Sequence, residues 1–411
     1  MALRAALIAA TLAITCLTVR ANAAEPGSSL TISLLTMGPG EHPFTKFGHT
    51  ALWVHDAEGA RDEVYNFGTF AFDSPTLVLD SVAGKLPYWL SVQGLAGTIE
   101  AYREQGRSLV ASELSLTPSQ RWALLSALRE NALPKNRYYR YEYYRDNCST
   151  RVRDALDRVI GGRIAAGSRE PVRFTFRDHT LRLVADDPVL YVALDIALGR
   201  EADAPLTRWE EGFLPETLHQ LALHTTVLVA GQPMPLVSRE RTLVAGNGSQ
   251  TRSAPPNWGL RYLAVGVAAF GYLALLGAFA PKSRAARIAL GLSWAAIGLG
   301  VGLLGSALGY LALFSAHAAA HQNLNLLLVP PWAFTLLVAG IRVTRGRASG
   351  WPLGRTGALL LLAPLLLSLL LKALSHPAQA NAQELGFALP LWLGVALSAH
   401  WGRHTPKVRR A

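Results

Sequence analysis

Cys148 is the residue of this sequence whose chemistry is most specific. The chain contains two cysteines, Cys16 and Cys148. Cys16 falls in a segment with the pattern of a secretory signal, so the mature protein is expected to keep Cys148 alone. A lone thiol in an exported protein has no internal disulfide partner. Cys148 is therefore a candidate nucleophile; the other interpretation is a buried cysteine that packs as a small apolar side chain.

The residues around Cys148 favour a reactive thiol. Residues 138–145 are rich in tyrosine and arginine, and Asn147 directly precedes the cysteine. A helical pattern follows over 150–160, so Cys148 is predicted to lie at a helix N-terminus. There the helix dipole and nearby cations should lower the pKa of the thiol and favour the thiolate.

A cysteine nucleophile needs a base to accept its proton and a polar group to orient that base. His49 is a candidate base, because it stands at the entrance of a predicted strand beside Gly48, which permits close backbone approach. Asn66 lies in the next predicted strand and is a candidate for the orienting group. The sequence leaves three rival bases and two rival orienting groups open: His42, His55 and His179, and Tyr65 and Asp146.

Metal chemistry has no matching pattern in this sequence. Neither a Cys-x-x-Cys nor a His-Glu-x-x-His spacing occurs, and these are the spacings that commonly hold zinc. We therefore expect neither a metal nor a cofactor.

The elements that position these residues follow from local patterns. Alternating residues predict a strand over 30–36. Two more strands, over 50–55 and 63–67, flank a turn at 56–59. A helix is predicted over 118–131, with Thr117 as its N-cap and Pro118 at its first position.

The composition divides the chain into an exported part and a membrane part. Residues 1–23 have an apolar run and a small-x-small cleavage pattern, which predicts a signal peptide. Residues 24–248 have the mixed composition of a globular domain, and 249–258 form a linker rich in Ser and Pro. Residues 259–411 are dominated by Leu, Ala, Gly and Val.

Five spans in the second part are long and apolar enough to cross a bilayer. Pro330 and Pro331 interrupt the third. The predicted spans are about 259–280, 288–314, 324–341, 356–374 and 384–401.

The charges between the spans predict their orientation. Segments 281–287, 342–355 and 402–411 carry eleven Lys and Arg residues and no acidic residue, which places them in the cytoplasm. Loops 315–323 and 375–384 have no Lys or Arg and should share the outer face with the exported domain. The formal net charge of +11 thus reflects membrane topology, and it gives no support to nucleic-acid binding.

Three motifs of the exported part resemble a known family. They are Phe-Gly-His-Thr-Ala at 47–51, Tyr-Asn-Phe-Gly-Thr-Phe at 65–70 and Asp-Asn-Cys-Ser-Thr-Arg at 146–151. A histidine on a strand followed by Asn-Cys at a helix start resembles the circularly permuted papain-like enzymes, the NlpC-like group. The motifs resemble more closely the N-terminal periplasmic domain of the Lnb family. The members of that family are bacterial lipoprotein N-acyltransferases. Looser matches lie at 174–177, 213–215, His317 and 321–327.

This resemblance implies a fold and a function. The fold would be α+β, a permuted papain-like domain followed by an all-α bundle of five transmembrane helices. A Cys148 thiolate activated by His49 would accept a fatty acyl chain from membrane phospholipid and pass it to the N-terminal amine of a lipoprotein, in the inner membrane. Asn66 is assigned as the third catalytic residue, although no motif fixes it. The substrate-binding candidates are Tyr65, Asn147, Arg151, Arg177, His317 and Asn323.

Two other function classes stay open. NlpC-like relatives also include amidases and peptidases that act on cell-wall peptides. A binding module with a degenerate site is the other class, and the presence of both Cys148 and His49 argues against it. For His317 and Asn323, ordinary polarity at the membrane boundary is the alternative to substrate contact.

Overall fold

The computed structural model describes residues 25–71, 73–248 and 251–401. The predicted signal peptide, with Cys16, and the basic tail at 402–411 lie outside the described residues. The described part is α+β, with a sheet in its N-terminal half and apolar helices in its C-terminal half.

The N-terminal half is built on a seven-stranded sheet with the order β6-β4-β3-β2-β1-β5-β9. Strands β7 and β8 form a separate hairpin, and every described neighbouring pair is antiparallel. The strands are β1 Leu30–Met37, β2 His49–Asp56, β3 Arg61–Thr69, β4 Tyr88–Gly94, β5 Leu109–Leu114, β6 Tyr138–Tyr139, β7 Thr226–Val229, β8 Gln232–Pro235 and β9 Val237–Val244.

The predicted strands over 30–36, 50–55 and 63–67 are confirmed as β1, β2 and β3. Met37 pairs with His49 at the start of β2. The ladder between β2 and β3 runs from Asp56 opposite Arg61 to Leu52 opposite Tyr65. Both faces of β2 are buried, because Ala51 and Leu52 point to opposite sides of the sheet and neither is exposed.

The described N-terminal half contains nine α-helices. They are α1 Leu77–Ala83, α2 Leu95–Glu104, α3 Pro118–Ala132, α4 Cys148–Val159, α5 Arg163–Ala166, α6 Phe176–Leu183, α7 Pro188–Ala197, α8 Arg208–Glu211 and α9 Pro215–His224.

Local capping fixes where the two predicted helices begin. Helix α3 confirms the helix predicted over 118–131: Thr117 accepts from the Gln120 N–H, the Gln120 side chain accepts from the Thr117 N–H, and Pro118 stands at the first position. Helix α4 begins at Cys148, as predicted. Its buried side chains Val152 and Leu156 join the core on one face of the sheet.

Five segments in the second half are long and apolar enough to cross a membrane. Four are helices: α10 Gly259–Phe279, α11 Arg284–Phe314, α13 Gly350–Leu374 and α14 Ala382–Trp401. The third segment, Ala318–Thr344, is not one continuous helix. Only α12, Phe334–Thr344, is α-helical, and three 3₁₀ turns precede it. The prediction of a helix over 324–341 is corrected, since Pro330 and Pro331 cannot continue a helical hydrogen-bond ladder.

The exported domain rests on the two loops that carry no Lys or Arg. The Ala316 N–H donates to the Ala83 carbonyl at 2.9 Å, and the Gly199 N–H donates to the Ala319 carbonyl at 2.7 Å. In the other loop, the Ala380 N–H donates to the Asp203 carboxylate at 3.2 Å. The structure therefore places both loops on the same side as the sheet domain, as the charge pattern predicts.

Candidate active site

Cys148 is the first residue of α4 and is held there by a double cap. The Asn147 side chain accepts from the Thr150 N–H at 2.9 Å, and the Thr150 hydroxyl accepts from the Asn147 N–H at 2.8 Å. This leaves the N–H groups of Cys148 and Ser149, in the first turn, pointing toward the thiol. The side chain of Cys148 is nearly enclosed, with 6% of the residue exposed.

The resting thiol is not the low-pKa thiolate that its helix position predicted. Burial raises the pKa of Cys148 above its ordinary value, and this effect outweighs all the others. Donated hydrogen bonds from the Thr50 N–H, the Tyr141 hydroxyl and the Ser149 N–H lower the pKa but do not compensate. The prediction was wrong because desolvation penalises the charged form more than a helix terminus and a few donors stabilise it.

His49 is the first residue of β2, and Asn66 lies on the neighbouring strand β3. The Asn66 amide donates to the Val64 carbonyl at 3.3 Å, which leaves its oxygen to accept from the His49 ring. Residues alternate along each strand, so His49 shares a face with Ala51 and Asn66 shares it with Val64. The structure therefore brings the predicted base and its predicted orienting residue together.

His49 is kept neutral at ordinary pH. Part of its surface reaches solvent, yet the surrounding protein removes enough water to lower its pKa to about 4. Desolvation is the largest cause, and the positive charge of Arg107 adds to it, whereas the hydrogen bond with Asn66 acts in the opposite direction. A neutral imidazole is the form that can accept a proton.

Cys148 and His49 belong to opposite faces of the sheet, and the thiol approaches the strand that begins at His49. Cys148 belongs to the core on the α4 side, whereas the neighbours of His49 on β2 belong to the core on the α2 side. The β2–β3 ladder ends at Leu52, and β3 is irregular between Asn66 and Thr69. The Thr50 N–H beyond the ladder donates to the Cys148 sulfur. The thiol thus contacts the residue that follows His49.

Gly48 and Gly68 allow these close approaches. Gly48 has a φ of +78°, and a Cβ there would lie 2.7 Å from the Met37 carbonyl oxygen, which confirms its predicted role beside His49. Gly68 has a φ of +84°, and a Cβ there would lie 2.9 Å from the Tyr141 ring and 3.7 Å from the Cys148 Cβ. Any larger residue at either position would disturb the site.

Two residues of the site are missed by the sequence analysis. Arg107 is buried, its Nε donates to the Gly38 carbonyl at 2.9 Å, and its guanidinium lies 4.7 Å from the centre of the Tyr102 ring. The charges of Arg107 and a Cys148 thiolate attract each other. No local pattern marks Arg107. Tyr141, whose hydroxyl donates to Cys148, stands in the tyrosine-rich stretch that drew attention to the cysteine.

The rival bases and orienting groups have other partners. His55 lies 3.0 Å from the Asp62 carboxylate at the exposed end of the hairpin. His179 is buried between Glu211 and Arg182, at 2.9 and 3.1 Å. His42 accepts from the Phe44 N–H at the start of a 3₁₀ turn. Asp146 receives two hydrogen bonds from Arg151, at 2.5 and 2.8 Å.

Three of the predicted substrate-binding residues are near the site but engaged with the protein. The Tyr65 hydroxyl donates to Glu63 at 2.9 Å. The Asn147 amide donates to the carbonyls of Tyr143 and Phe213, both at 2.9 Å. Arg151 binds Asp146 and lies 3.6 Å from the centre of the Tyr139 ring. These contacts shape the site; substrate contact by these residues stays a prediction.

The other three lie where the exported domain meets the membrane loops. Arg177 is 2% exposed, and its guanidinium binds the carboxylates of Asp195 and Asp203 at 3.1 and 2.8 Å. The His317 ring donates to the Ser81 carbonyl at 2.6 Å. The Asn323 amide donates to the Ile196 carbonyl at 2.7 Å. Their contacts join the two halves of the protein, and a substrate role for them also stays a prediction.

This arrangement is suited to acyl transfer. A neutral thiol contacts the residue that follows a neutral imidazole, and the N–H groups at the start of α4 point to the place where negative charge would develop. Such fixed donors stabilise a tetrahedral oxyanion. The Asn66 oxygen fixes the orientation of the imidazole in the way that a third residue does in other nucleophile–base pairs.

Comparison with known proteins agrees with the motifs. Residues 18–186 match the family model described as the Lnb N-terminal periplasmic domain, and this range contains His49, Asn66 and Cys148. Comparisons with curated proteins and with solved structures gave no match. Together with the five membrane-length segments, the match shows a membrane protein with a periplasmic domain. The match therefore confirms, for residues 18–186, the resemblance to the Lnb N-terminal periplasmic domain that the motifs indicate.

Proposed function

We propose that this protein is a thiol acyltransferase of the inner membrane. It would move a fatty acyl chain from a phospholipid, through a thioester on Cys148, to the N-terminal amine of a lipoprotein. One observation carries the proposal: the Cys148 sulfur accepts from the N–H of Thr50, next to the hydrogen-bonded pair His49 and Asn66, in a domain that is hydrogen-bonded to two loops between the membrane-length segments. Both substrates of this reaction lie at that membrane surface.

The first half of the reaction would acylate Cys148. His49 accepts the thiol proton as the sulfur attacks the ester carbonyl of the phospholipid. The N–H groups of Cys148 and Ser149 and the Tyr141 hydroxyl donate to the oxyanion. The intermediate collapses, the carbon–oxygen bond of the ester breaks, and protonated His49 gives its proton to the departing lysophospholipid alkoxide.

The second half would acylate the amine. The neutral N-terminal amine of the lipoprotein attacks the thioester carbonyl while His49 accepts an amine proton. The carbon–sulfur bond breaks, and the sulfur leaves as thiolate beside Arg107 and takes back the proton from His49. The products are an amide and the starting thiol, so no oxidant or reductant is needed.

The fold that we propose for the exported domain is the permuted papain-like one. In this chain the base lies on a central strand that precedes the cysteine helix, which is the order expected for that group. Strands β2 and β3 separate where the start of α4 approaches them, so the nucleophile and the base can meet at one end of the sheet.

Acyl-enzyme formation tests this function. The purified full chain in vesicles of phosphatidylethanolamine, without an amine acceptor, should become heavier by one fatty acyl chain, and hydroxylamine should remove that mass. Cys148→Ser should show no adduct. Lipoproteins from cells that lack this protein should lose the N-terminal acyl group in mass spectra. Cleavage of cell-wall peptides without any lipid adduct would instead indicate the amidase or peptidase class.

A further inference from the structure

Helix α1 exposes apolar side chains that a water-soluble surface would not retain. Val78 and Leu79 are each 72% exposed, and Val82 is 43% exposed, within a helix of seven residues. Three neighbouring exposed aliphatic residues mark a surface that faces lipid or a partner. Asp80, between them, instead accepts a hydrogen bond from Thr76 at 2.5 Å.

The position of α1 identifies lipid as its neighbour. The His317 ring donates to the Ser81 carbonyl at 2.6 Å, and the Ala316 N–H donates to the Ala83 carbonyl at 2.9 Å. These hydrogen bonds hold α1 against the loop that follows the membrane helix α11, which α1 also contacts. The last residues of α11, Leu313 and Phe314, are each 70% exposed. The apolar face of α1 therefore continues the lipid-facing surface of a membrane helix.

A row of aromatic rings leads from this segment to the thiol. Phe70 and Tyr88 flank the segment that carries α1, and their ring centres lie 5.3 Å apart. Tyr88 stacks on Tyr141 at 4.3 Å, and the Tyr141 hydroxyl donates to the Cys148 sulfur. Phe44, which is 43% exposed, lies 5.2 Å from Phe70 at the outer end of the row.

We propose that α1 inserts into the outer leaflet and that a phospholipid acyl chain passes from it along this aromatic row to Cys148. The occupant is a fatty acyl chain of a bilayer phospholipid, because the face continues a membrane-length helix and the row presents aromatic rings up to the nucleophile. Insertion of α1 stands by itself, whereas the passage of the chain rests on the proposed acyl transfer. Membrane contact at α1 brings the ester within reach of a thiol that is otherwise enclosed.

Insertion can be measured without catalysis. Leu79→Cys in the Cys148→Ser chain is labelled with an environment-sensitive fluorophore and reconstituted in phosphatidylethanolamine–phosphatidylglycerol vesicles that contain lipids with a nitroxide near the head group. The matched control is Leu228→Cys, a leucine that is 48% exposed on the β7–β8 hairpin. We expect strong quenching at position 79 and little at position 228. Equal quenching at the two positions would overturn the insertion of α1.

Delivery of the acyl chain is tested with two donors. The full chain is placed in vesicles of ether lipids, which contain no carboxylic ester. The donor is either a long-chain phosphatidylethanolamine ester within the bilayer or a short-chain, monomeric phosphatidylethanolamine ester in the water. The quantity compared is the rate of thioester formation from the bilayer donor divided by the rate from the soluble donor. We expect this ratio to be at least tenfold lower in Leu79→Asp than in the wild type or in the control Leu228→Asp.

The two proposals fail in different ways. An unchanged donor ratio in Leu79→Asp would overturn the path through α1 while the acyl transfer stands. No adduct on wild-type Cys148 from either donor would overturn the proposed function and, with it, the passage of the chain; the quenching measurement would then still decide the insertion of α1.

Discussion

The resting charge state of Cys148 and His49 is a quantity that the structure determines and an experiment can check. Burial raises the pKa of Cys148 above its ordinary value of 9.0, and the pKa of His49 is lowered to about 4. The two pKa values therefore differ by more than about five units. At 1.36 kcal/mol per unit, this difference opposes proton transfer from Cys148 to His49 by at least ~7 kcal/mol. Even at a separation of 4 Å, the attraction between the resulting charges would return only about 4 kcal/mol at an effective dielectric constant of 20. The neutral pair is then favoured by at least about 3 kcal/mol.

Alkylation of the thiol reports this difference. An energy of at least about 3 kcal/mol leaves at most roughly one molecule in a hundred as the ion pair, since 1.36 kcal/mol corresponds to a factor of ten. The intact mass of the full chain measures the rate at which iodoacetamide alkylates Cys148. We expect this rate to be constant between pH 5 and 8. Above pH 9 it should rise by a total of at least about 100-fold as the thiol itself ionises.

Two variants separate the contributions to this profile. His49→Gln should lose the flat region and show a rate that falls tenfold per pH unit below the thiol pKa, because no base remains to form the ion pair. Cys148→Ser gives the background of the assay. A wild-type rate at pH 6 as high as its rate at pH 10 would show a preformed thiolate–imidazolium pair and refute the reasoning from burial.

The remaining predictions concern the surroundings of the site and the membrane. Arg107→Met removes a cation that lowers the His49 pKa, so the acid limb of thioester formation should move from near pH 4 toward 6.5; a limb that stays in place would exclude this influence. Gly68→Ala should slow thioester formation at least tenfold and lower stability by roughly 1–2 kcal/mol in thermal unfolding, because of its positive φ and the nearby Tyr141 ring. Arg177→Met leaves Asp195 and Asp203 buried without their partner and should cost about 3–5 kcal/mol in the same measurement; a selective change in KM in a fully stable protein would instead indicate substrate contact. A reporter that is active only in the periplasm should be silent when fused after Ala411, and clear activity there would contradict the five-span topology.

Local sequence patterns were sufficient for the elements that carry the site. Alternation predicted β1, the turn between two strand patterns predicted β2 and β3, and the Thr117 and Pro118 pattern predicted the start of α3. The helix that begins at Cys148 and the membrane-length segments were also predicted, because caps and hydropathy act over a few neighbouring residues. The third span was the exception, since only the structure shows how the chain before α12 folds around Pro330 and Pro331.

The chemistry of the site depended on residues that are distant in sequence. The type and order of His49 and Cys148 identified them as candidates, but the raised pKa of the thiol follows from its enclosure by the folded chain. Arg107 gains its influence on His49 only because the fold buries it nearby. The sequence around Arg177 does not indicate that two distant carboxylates neutralise its charge. The sequence by itself determined which groups could react and which segments are long and apolar enough to cross a membrane, because those properties are local. Burial and the partners of each charge were decided by the tertiary structure, because desolvation and Coulomb energy depend on everything that surrounds a group in space.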